Sequence, residues 1–114
     1  MEELPGLKNH SILKRNFEIL SESTNAKGEK INAVKLPMPG YVKDKKRRYP
    51  ASYSNFYIGN TVVLVPIFGH ENDKKALNII QSAFPKKKII GINCTSVIYG
   101  LGAIHCISQQ QPKI

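Results

Sequence analysis

The residue of this chain with the clearest capacity for chemistry is Cys106, which follows two glycines and an alanine near the carboxyl end of the sequence. An ionised thiol is a strong nucleophile, and glycines such as Gly100 and Gly102 let the backbone turn sharply or approach a ligand closely. A cysteine presented behind a glycine-rich turn is therefore a candidate for covalent catalysis. The alternative is structural, because a lone cysteine in an apolar stretch is often a small buried hydrophobic residue.

The segment that must position this thiol, 97–108, has a short apolar pattern that predicts a strand. Neighbouring residues of a strand point to opposite faces, so we expect His105 to point away from the pocket that Cys106 faces. Cys94, at the end of another apolar stretch, is expected to be structural. Without a secretory signal in the sequence, two free thiols are favoured over a disulfide.

The part of the chain before this segment predicts the order strand, strand, helix, strand over residues 53–93. Two strand patterns, 53–58 and 61–65, flank Gly59-Asn60, a two-residue connection typical of hairpins. The second strand is apolar on both faces and is expected inside the sheet. In the first strand, Asn55 has two open roles: it satisfies a neighbouring loop or it lines a substrate funnel.

A helix capped by Asn72 and ended by Pro85 is predicted next, followed by a strand over 86–93. The strand that returns beside its partner through this helix should do so by a right-handed crossover. Upstream, residues 9–20 show the spacing of an amphipathic helix, and 31–36 predict a short strand. A helix followed by a strand is the closing half of a second unit of the same kind.

The loop 41–49 is strongly basic and contributes to the formal net charge of +9 on the 114-residue chain. Its cationic residues are Lys43, Lys45, Lys46, Arg47 and Arg48. Such a run suggests a nucleic-acid partner by composition, and aromatic residues nearby could stack on bases. No recognisable nucleic-acid module accompanies it. A solvated loop is therefore favoured, and nucleic-acid binding is unlikely as the main function.

The length favours one domain, and no apolar run approaches the length of a membrane-spanning helix. The acidic start, residues 1–5, does not have the pattern of a secretory signal. These features lead us to expect a cytoplasmic protein without membrane association. Nothing in the spacing of histidines, cysteines and carboxylates indicates a metal site or a cofactor.

Several motifs, taken in order, resemble the agmatine deiminase and bacterial-type peptidylarginine deiminase family. They are KLPMPG at 35–40, PASYSNFYI at 50–58, AFP at 83–85 with IIGI at 89–92, and IHCISQQQP at 104–112. The resemblance implies an α/β fold of the pentein type, a propeller of ββαβ modules around a pseudo-fivefold axis. It also implies that this chain is only the C-terminal part, an incomplete ring within one agmatine deiminase-like domain, 1–114.

Within that domain we expect a partial module at about 9–36, a complete ββαβ module at about 53–93 and a closing segment with the nucleophile at 97–112. The resemblance assigns Cys106 as the catalytic cysteine, and Gly100, Gly102 and Asn55 as candidate substrate-binding residues, with no metal or cofactor. In the family, the proton-handling histidine and the guanidinium-binding carboxylates come from earlier modules. A truncated and inactive chain is therefore expected.

The reaction implied by the resemblance is hydrolysis of agmatine to N-carbamoylputrescine and ammonia, a step of putrescine biosynthesis. Association with the missing modules, or a homo-oligomer, is the expected assembly. Two alternatives stay open: peptidyl-arginine as the substrate, and a small basic nucleic-acid-binding module. Leu101 and Ala103 stand where members of the family often carry glycine or asparagine, which leaves the choice of substrate open.

Overall fold

The computed structural model describes residues 8–44 and 47–112, and the chain divides into two compact units, Met1–Pro37 and Met38–Ile114. The acidic start, residues 1–5, and two lysines of the basic loop, Lys45 and Lys46, lie outside the described residues. Among the described residues, no helix combines the length and apolarity needed to cross a bilayer.

The first unit begins with the helix α1, Lys8–Glu22, which confirms the helix predicted over 9–20. After it, Asn25 organises a tight turn: its side-chain oxygen accepts hydrogen bonds from the backbone N–H groups of Lys27 and Glu29 at 2.9 and 3.0 Å. Gly28 takes a positive φ of 78° in this turn, a conformation that glycine adopts without steric cost. These contacts form a turn directly after α1.

The strand predicted over 31–36 is wrong. This stretch has no regular secondary structure, and both Ile31 and Val34 are exposed. A strand forms only where another strand completes its hydrogen bonds. In the described part of this unit, the pairing nearest to the stretch is an isolated bridge between Thr24 and Lys30, next to a bond from the Ile31 N–H to the Ser23 carbonyl.

The second unit contains a three-stranded sheet with the spatial order β1-β2-β3. Its strands and helix are β1 Tyr57–Ile58, β2 Val62–Ile67, α2 Asn72–Ala83 and β3 Lys88–Asn93. β1 pairs with β2 in antiparallel fashion, and β2 pairs with β3 in parallel fashion, with Val65 opposite Gly91. The predicted order of strand, strand, helix and strand is confirmed, with the apolar β2 in the interior of the sheet.

The turn of the hairpin and the length of its first strand differ from the prediction. The Gly59 N–H donates to the Val62 carbonyl at 2.9 Å, so the turn centres on Asn60 and Thr61, one residue later than expected. The Lys87 ammonium closes it by donating to the carbonyls of Gly59 and Asn60 at 2.9 and 2.8 Å. The first strand is only two residues long because residues 53–54 form a turn instead of extending the sheet.

Helix α2 covers the sheet with a face that includes the buried Ala76 and Ile80. Its N-cap is Glu71 rather than the predicted Asn72, because the Asn72 side chain donates to the Met38 carbonyl at 2.9 Å instead of capping the helix. Apolar residues of the sheet and of the segments around it are buried in the same unit; the largest fully buried side chains include Tyr53, Ile98, Val63, Val65 and Cys94.

The closing segment is not the predicted strand. It forms two short 3-10 helices, Val97–Gly100 and His105–Ile107, with the buried residues Gly102, Ala103 and Ile104 between them. A short apolar run is compatible with either a strand or a tight helix. Here the run buries Ile98 and Ile104 while its remaining residues bend around the glycines, which an extended strand would not allow.

The basic loop is held by contacts within itself. Lys43 and Arg48 form an isolated antiparallel bridge, and the Arg48 guanidinium lies 4.0 Å from the centre of the Tyr41 ring. Asp44 accepts a hydrogen bond from the Tyr49 hydroxyl at 2.5 Å. The described arginines of this loop therefore already use neighbouring aromatic faces, as cation–π pairs do.

Candidate active site

The predicted nucleophile, Cys106, is exposed and lies in the middle of the second 3-10 helix. The backbone of Gly102 lies directly against it: a Cβ atom at Gly102 would come within 2.6 Å of the Cys106 Cβ and 3.1 Å of its Sγ. A Cβ atom at Gly100 would meet no atom within 4 Å. Of the two predicted glycines, only Gly102 is required to be glycine by the position of the cysteine.

Asn55 is joined to the same thiol across 51 residues of sequence. Its side-chain Nδ2 donates to Cys106 Sγ at 2.9 Å, and its Oδ1 accepts from the Cys106 backbone N–H at 3.2 Å. Its own carbonyl accepts from the His105 N–H, also at 3.2 Å. Of the two roles left open by the sequence, hydrogen bonding to a neighbouring loop is observed, and that loop is the one that carries the cysteine.

These donors favour the ionised form of the thiol. Hydrogen bonds from the Asn55 side chain, and then from the Ala103 backbone N–H, lower the pKa of Cys106 below its usual range. The other cysteine behaves in the opposite way, since burial raises the pKa of Cys94. Both thiols are free, as expected. The structure therefore separates one exposed thiol with a lowered pKa from one buried thiol with a raised pKa.

The expectation for His105 rested on a strand that does not exist. In a 3-10 helix, successive residues are about 120° apart around the axis, so the alternation argument does not apply. His105 is exposed, and its carbonyl accepts hydrogen bonds from the N–H and hydroxyl of Ser108. A second histidine of this unit, His70, accepts the Asn72 N–H at Nδ1 and lies against the backbone of Gly40.

A supporting contact that sequence reasoning missed fixes the turn preceding Asn55. The buried Tyr53 donates its hydroxyl proton to Asp73 at 2.6 Å, and the same carboxylate accepts backbone N–H groups from the loop before α2. The long separation between Tyr53 and Asp73 left no local signal by which to pair them.

Two aspartates of the second unit, Asp44 and Asp73, are engaged away from the thiol. Asp73 holds Tyr53 and the loop before α2, and Asp44 accepts from Tyr49 in the basic loop. No group of three or more histidine, cysteine or acidic side chains that could hold a metal ion occurs in the parts of the chain that the structure covers. The geometry thus presents a nucleophile with its positioning residues.

The family model described as Porphyromonas-type peptidyl-arginine deiminase matches residues 1–112. This chain belongs to that family. Among curated relatives, a Marinomonas sp. protein that carries the provisional name agmatine deiminase is 36% identical over 121 residues. That match covers 91% of this chain and 33% of the relative.

Solved structures of the family agree with this assignment. Agmatine deiminase of Enterococcus faecalis is similar with a TM-score of 0.89 and 35% identity, over 97% of this chain and 35% of that one. A cysteine-to-serine variant of C. jejuni agmatine deiminase with substrate bound has a TM-score of 0.80 and 26% identity, over 92% of this chain and 30% of its own. This chain therefore spans about a third of the length of its relatives.

Proposed function

We propose that this chain carries the nucleophile of a deiminase that hydrolyses C–N bonds of linear amidines, with agmatine as the substrate. The observation that supports this most directly is the exposed Cys106 thiol, whose pKa is lowered by Asn55 and Ala103. A thiolate suits the reaction because it attacks the guanidinium carbon strongly. The names of the Enterococcus faecalis and C. jejuni relatives support agmatine as the substrate.

The proposed reaction has two halves. The Cys106 sulfur forms a bond to the guanidinium carbon of agmatine, and the C–N bond to one terminal nitrogen breaks once that nitrogen has gained a proton, so that ammonia leaves. Water then adds to the same carbon, the S–C bond breaks and the thiolate is restored. Agmatine and water become N-carbamoylputrescine and ammonia, which would place the reaction in putrescine formation.

In this proposal, Gly102 and Asn55 hold the nucleophile in place, and Asn55 and Gly100 also border the bound substrate. A planar guanidinium is usually held by carboxylates in two-pronged hydrogen bonds. Asp44 and Asp73, in the same unit as Cys106, are bonded to Tyr49 and Tyr53 instead. We therefore propose that the guanidinium partners and the proton-handling histidine belong to further modules of the complete enzyme.

The proposed architecture also extends beyond the described residues. The described sheet and helix would form one complete ββαβ module, about 53–93, of a pentein-type α/β propeller, with a partial module at about 9–36 and a closing segment at 97–112. Both the ring and its association with further modules are proposals, as is a cytoplasmic location. They rest on the similarity to solved structures that are about three times as long.

The test is protection of the thiol by ligand. The chain is treated with 2-chloroacetamidine, and labelling of Cys106 and Cys94 is followed separately by peptide mass spectrometry. We expect agmatine to slow labelling of Cys106, whereas putrescine, which lacks the guanidinium, should not slow it. The variant Cys106→Ser identifies the labelled site. Turnover of agmatine by the isolated chain should be little or none, because Asp44 and Asp73 are engaged elsewhere.

Other outcomes distinguish the alternatives. Protection by an N-acylated arginine amide but not by agmatine would favour a peptidyl-arginine substrate, the activity named by the family description. Equal labelling of both thiols would contradict the proposal. Rapid ammonia release from agmatine by the chain alone would instead show that the guanidinium partners lie within these 114 residues.

A further inference from the structure

The residue before Gly102 has an unusual backbone. Leu101 has a φ of 68°, and among the described residues it is the one non-glycine residue with a positive φ. The left-handed conformation brings Cβ close to the following carbonyl, so it is costly for residues other than glycine. Its N–H closes the first 3-10 helix by donating to the Ile98 carbonyl at 2.9 Å. Glycine would form the same bond without the steric cost.

Packing within the described residues does not explain the leucine either. Its side chain is 56% exposed, while the residues on either side of the glycine turn, Ile98 and Ile104, are 0% and 9% exposed. An apolar side chain that stays in water gains little of the hydrophobic stabilisation that burial provides. The position therefore combines a strained backbone with an unburied apolar side chain, and strain of this kind concentrates at functional sites.

The place of Leu101 in the chain connects it to the nucleophile. Its Cα lies about 3.8 Å from that of Gly102, and Gly102 is in direct contact with Cys106. Leu101 therefore lies in the same loop as the glycine that contacts the thiol. A substrate whose reacting carbon sits at Cys106 would pass close to this loop with the remainder of its length.

We propose that Leu101 is a specificity-determining residue whose side chain contacts the alkyl chain of an alkylguanidine held at Cys106. This rests on the proposed deiminase function and narrows it to one substrate class. Each methylene group that leaves water is worth about fourfold in affinity. A leucine wall favours a polymethylene chain over a peptide backbone, because the polar amide groups of a peptide lose hydration beside an apolar surface.

The test compares two alkylators that share one reactive group, 2-chloroacetamidine and its N-butyl derivative. With both, the Cys106 thiolate attacks the CH2 carbon and chloride leaves, and the rate is measured by mass spectrometry. In the wild type the butyl compound should react faster. In Leu101→Gly and Leu101→Ala, the ratio of the two rates should fall roughly 4- to 16-fold, which corresponds to one or two methylene contacts. Leu101→Met should restore it.

A matched control separates this contact from general surface hydrophobicity. Ile58 on β1 is 50% exposed and has a similar aliphatic side chain, so Ile58→Ala should leave the ratio of rates unchanged. The rate with unsubstituted 2-chloroacetamidine should stay within about twofold of the wild-type rate in Ile58→Ala. A fall in the ratio for Ile58→Ala equal to that for Leu101→Gly would overturn the proposal.

A stability measurement excludes a packing role. Because glycine tolerates a φ of 68° and the leucine is not buried, Leu101→Gly should keep the melting temperature or raise it by up to about 4 °C. A fall of several degrees, or an unchanged ratio of rates in Leu101→Gly and Leu101→Ala, would overturn the proposal. Protection of Cys106 by agmatine, measured in the same samples, distinguishes the proposed deiminase function from the proposed role of Leu101. If agmatine still protects the thiol but the ratio of rates is unchanged in the Leu101 variants, the role of Leu101 is refuted and the deiminase function is not.

Discussion

Replacing Gly102 by alanine tests whether the nucleophile is held by close backbone contact. The added Cβ would lie 2.6 Å from the Cys106 Cβ, whereas ordinary contact begins at 3.4 Å. The cysteine or the loop must therefore move by about 0.8 Å, the difference between the two distances. Both atoms nearest to the new methyl group belong to Cys106, so the displacement falls on the thiol itself.

The expected size of the effect follows from the hydrogen bond that would be lost. The Asn55 Nδ2 to Cys106 Sγ distance is 2.9 Å, and a shift of about 0.8 Å moves the pair out of good bonding range. Without that donor the thiol is protonated more at neutral pH, so alkylation of Cys106 at pH 7 should slow roughly three- to tenfold. Overpacking the buried Gly102 should also cost about 1–3 kcal/mol of stability.

The assay uses Gly100→Ala as its matched control. Neither glycine has a φ in the left-handed range, and a Cβ at Gly100 meets no atom within 4 Å. We expect Gly100→Ala to behave like the wild type, both in iodoacetamide labelling of Cys106 and in urea unfolding. The reasoning is refuted if Gly102→Ala and Gly100→Ala prove indistinguishable in both measurements.

Two further predictions concern the supports of the site. Asn55→Leu removes the donor that lowers the pKa of Cys106, so the pH at which alkylation of Cys106 is half-maximal should move upward. The control variant Ser54→Ala should leave this pH unchanged. A downward shift in Asn55→Leu would contradict the role of Asn55 as that donor. Tyr53→Phe should lower the free energy of unfolding by about 1.5–3 kcal/mol, because the hydrogen bond to the Asp73 carboxylate is lost. Burial and then the hydrogen bond to Asp73 raise the pKa of Tyr53 above 10.0, the usual value for tyrosine. The neutral phenol therefore contributes its full stabilisation below about pH 10. This contribution is lost as the pH rises through the pKa of Tyr53 in the folded state. Urea unfolding should therefore show a steeper alkaline loss of stability in the wild type than in Tyr53→Phe, and equal losses would argue against the contact.

Segments with strong local patterns were predicted correctly. The apolar run of β2 and the periodic helix α2 match the structure closely, and β3 begins within two residues of its predicted start. These elements bury apolar side chains at regular spacing, so their periodicity is visible in one sequence. The N-cap of α2 was missed because Asn72 found a more distant partner, the carbonyl of Met38.

Three segments with weak patterns were predicted as strands and are not strands throughout. Residues 31–36 have no strand partner in the described part of their unit, residues 53–54 turn with Tyr53 fixed by Asp73, and 97–108 winds into two 3-10 helices. In the second and third of these segments, the chain makes hydrogen bonds to groups far away in the sequence, from Tyr53 to Asp73 and between Asn55 and Cys106. Local propensity alone cannot report such partners.

Family membership and the identity of the candidate nucleophile followed from the sequence alone, because motifs such as the one at 104–112 keep their order along the chain. Only the tertiary structure decided how the thiol is held. The fold brings Asn55 to Cys106 across 51 residues and places the backbone of Gly102 against the thiol. Hydrogen bonds and close contacts act through space, so the side chains that lower the pKa of a cysteine are found only once the chain has folded.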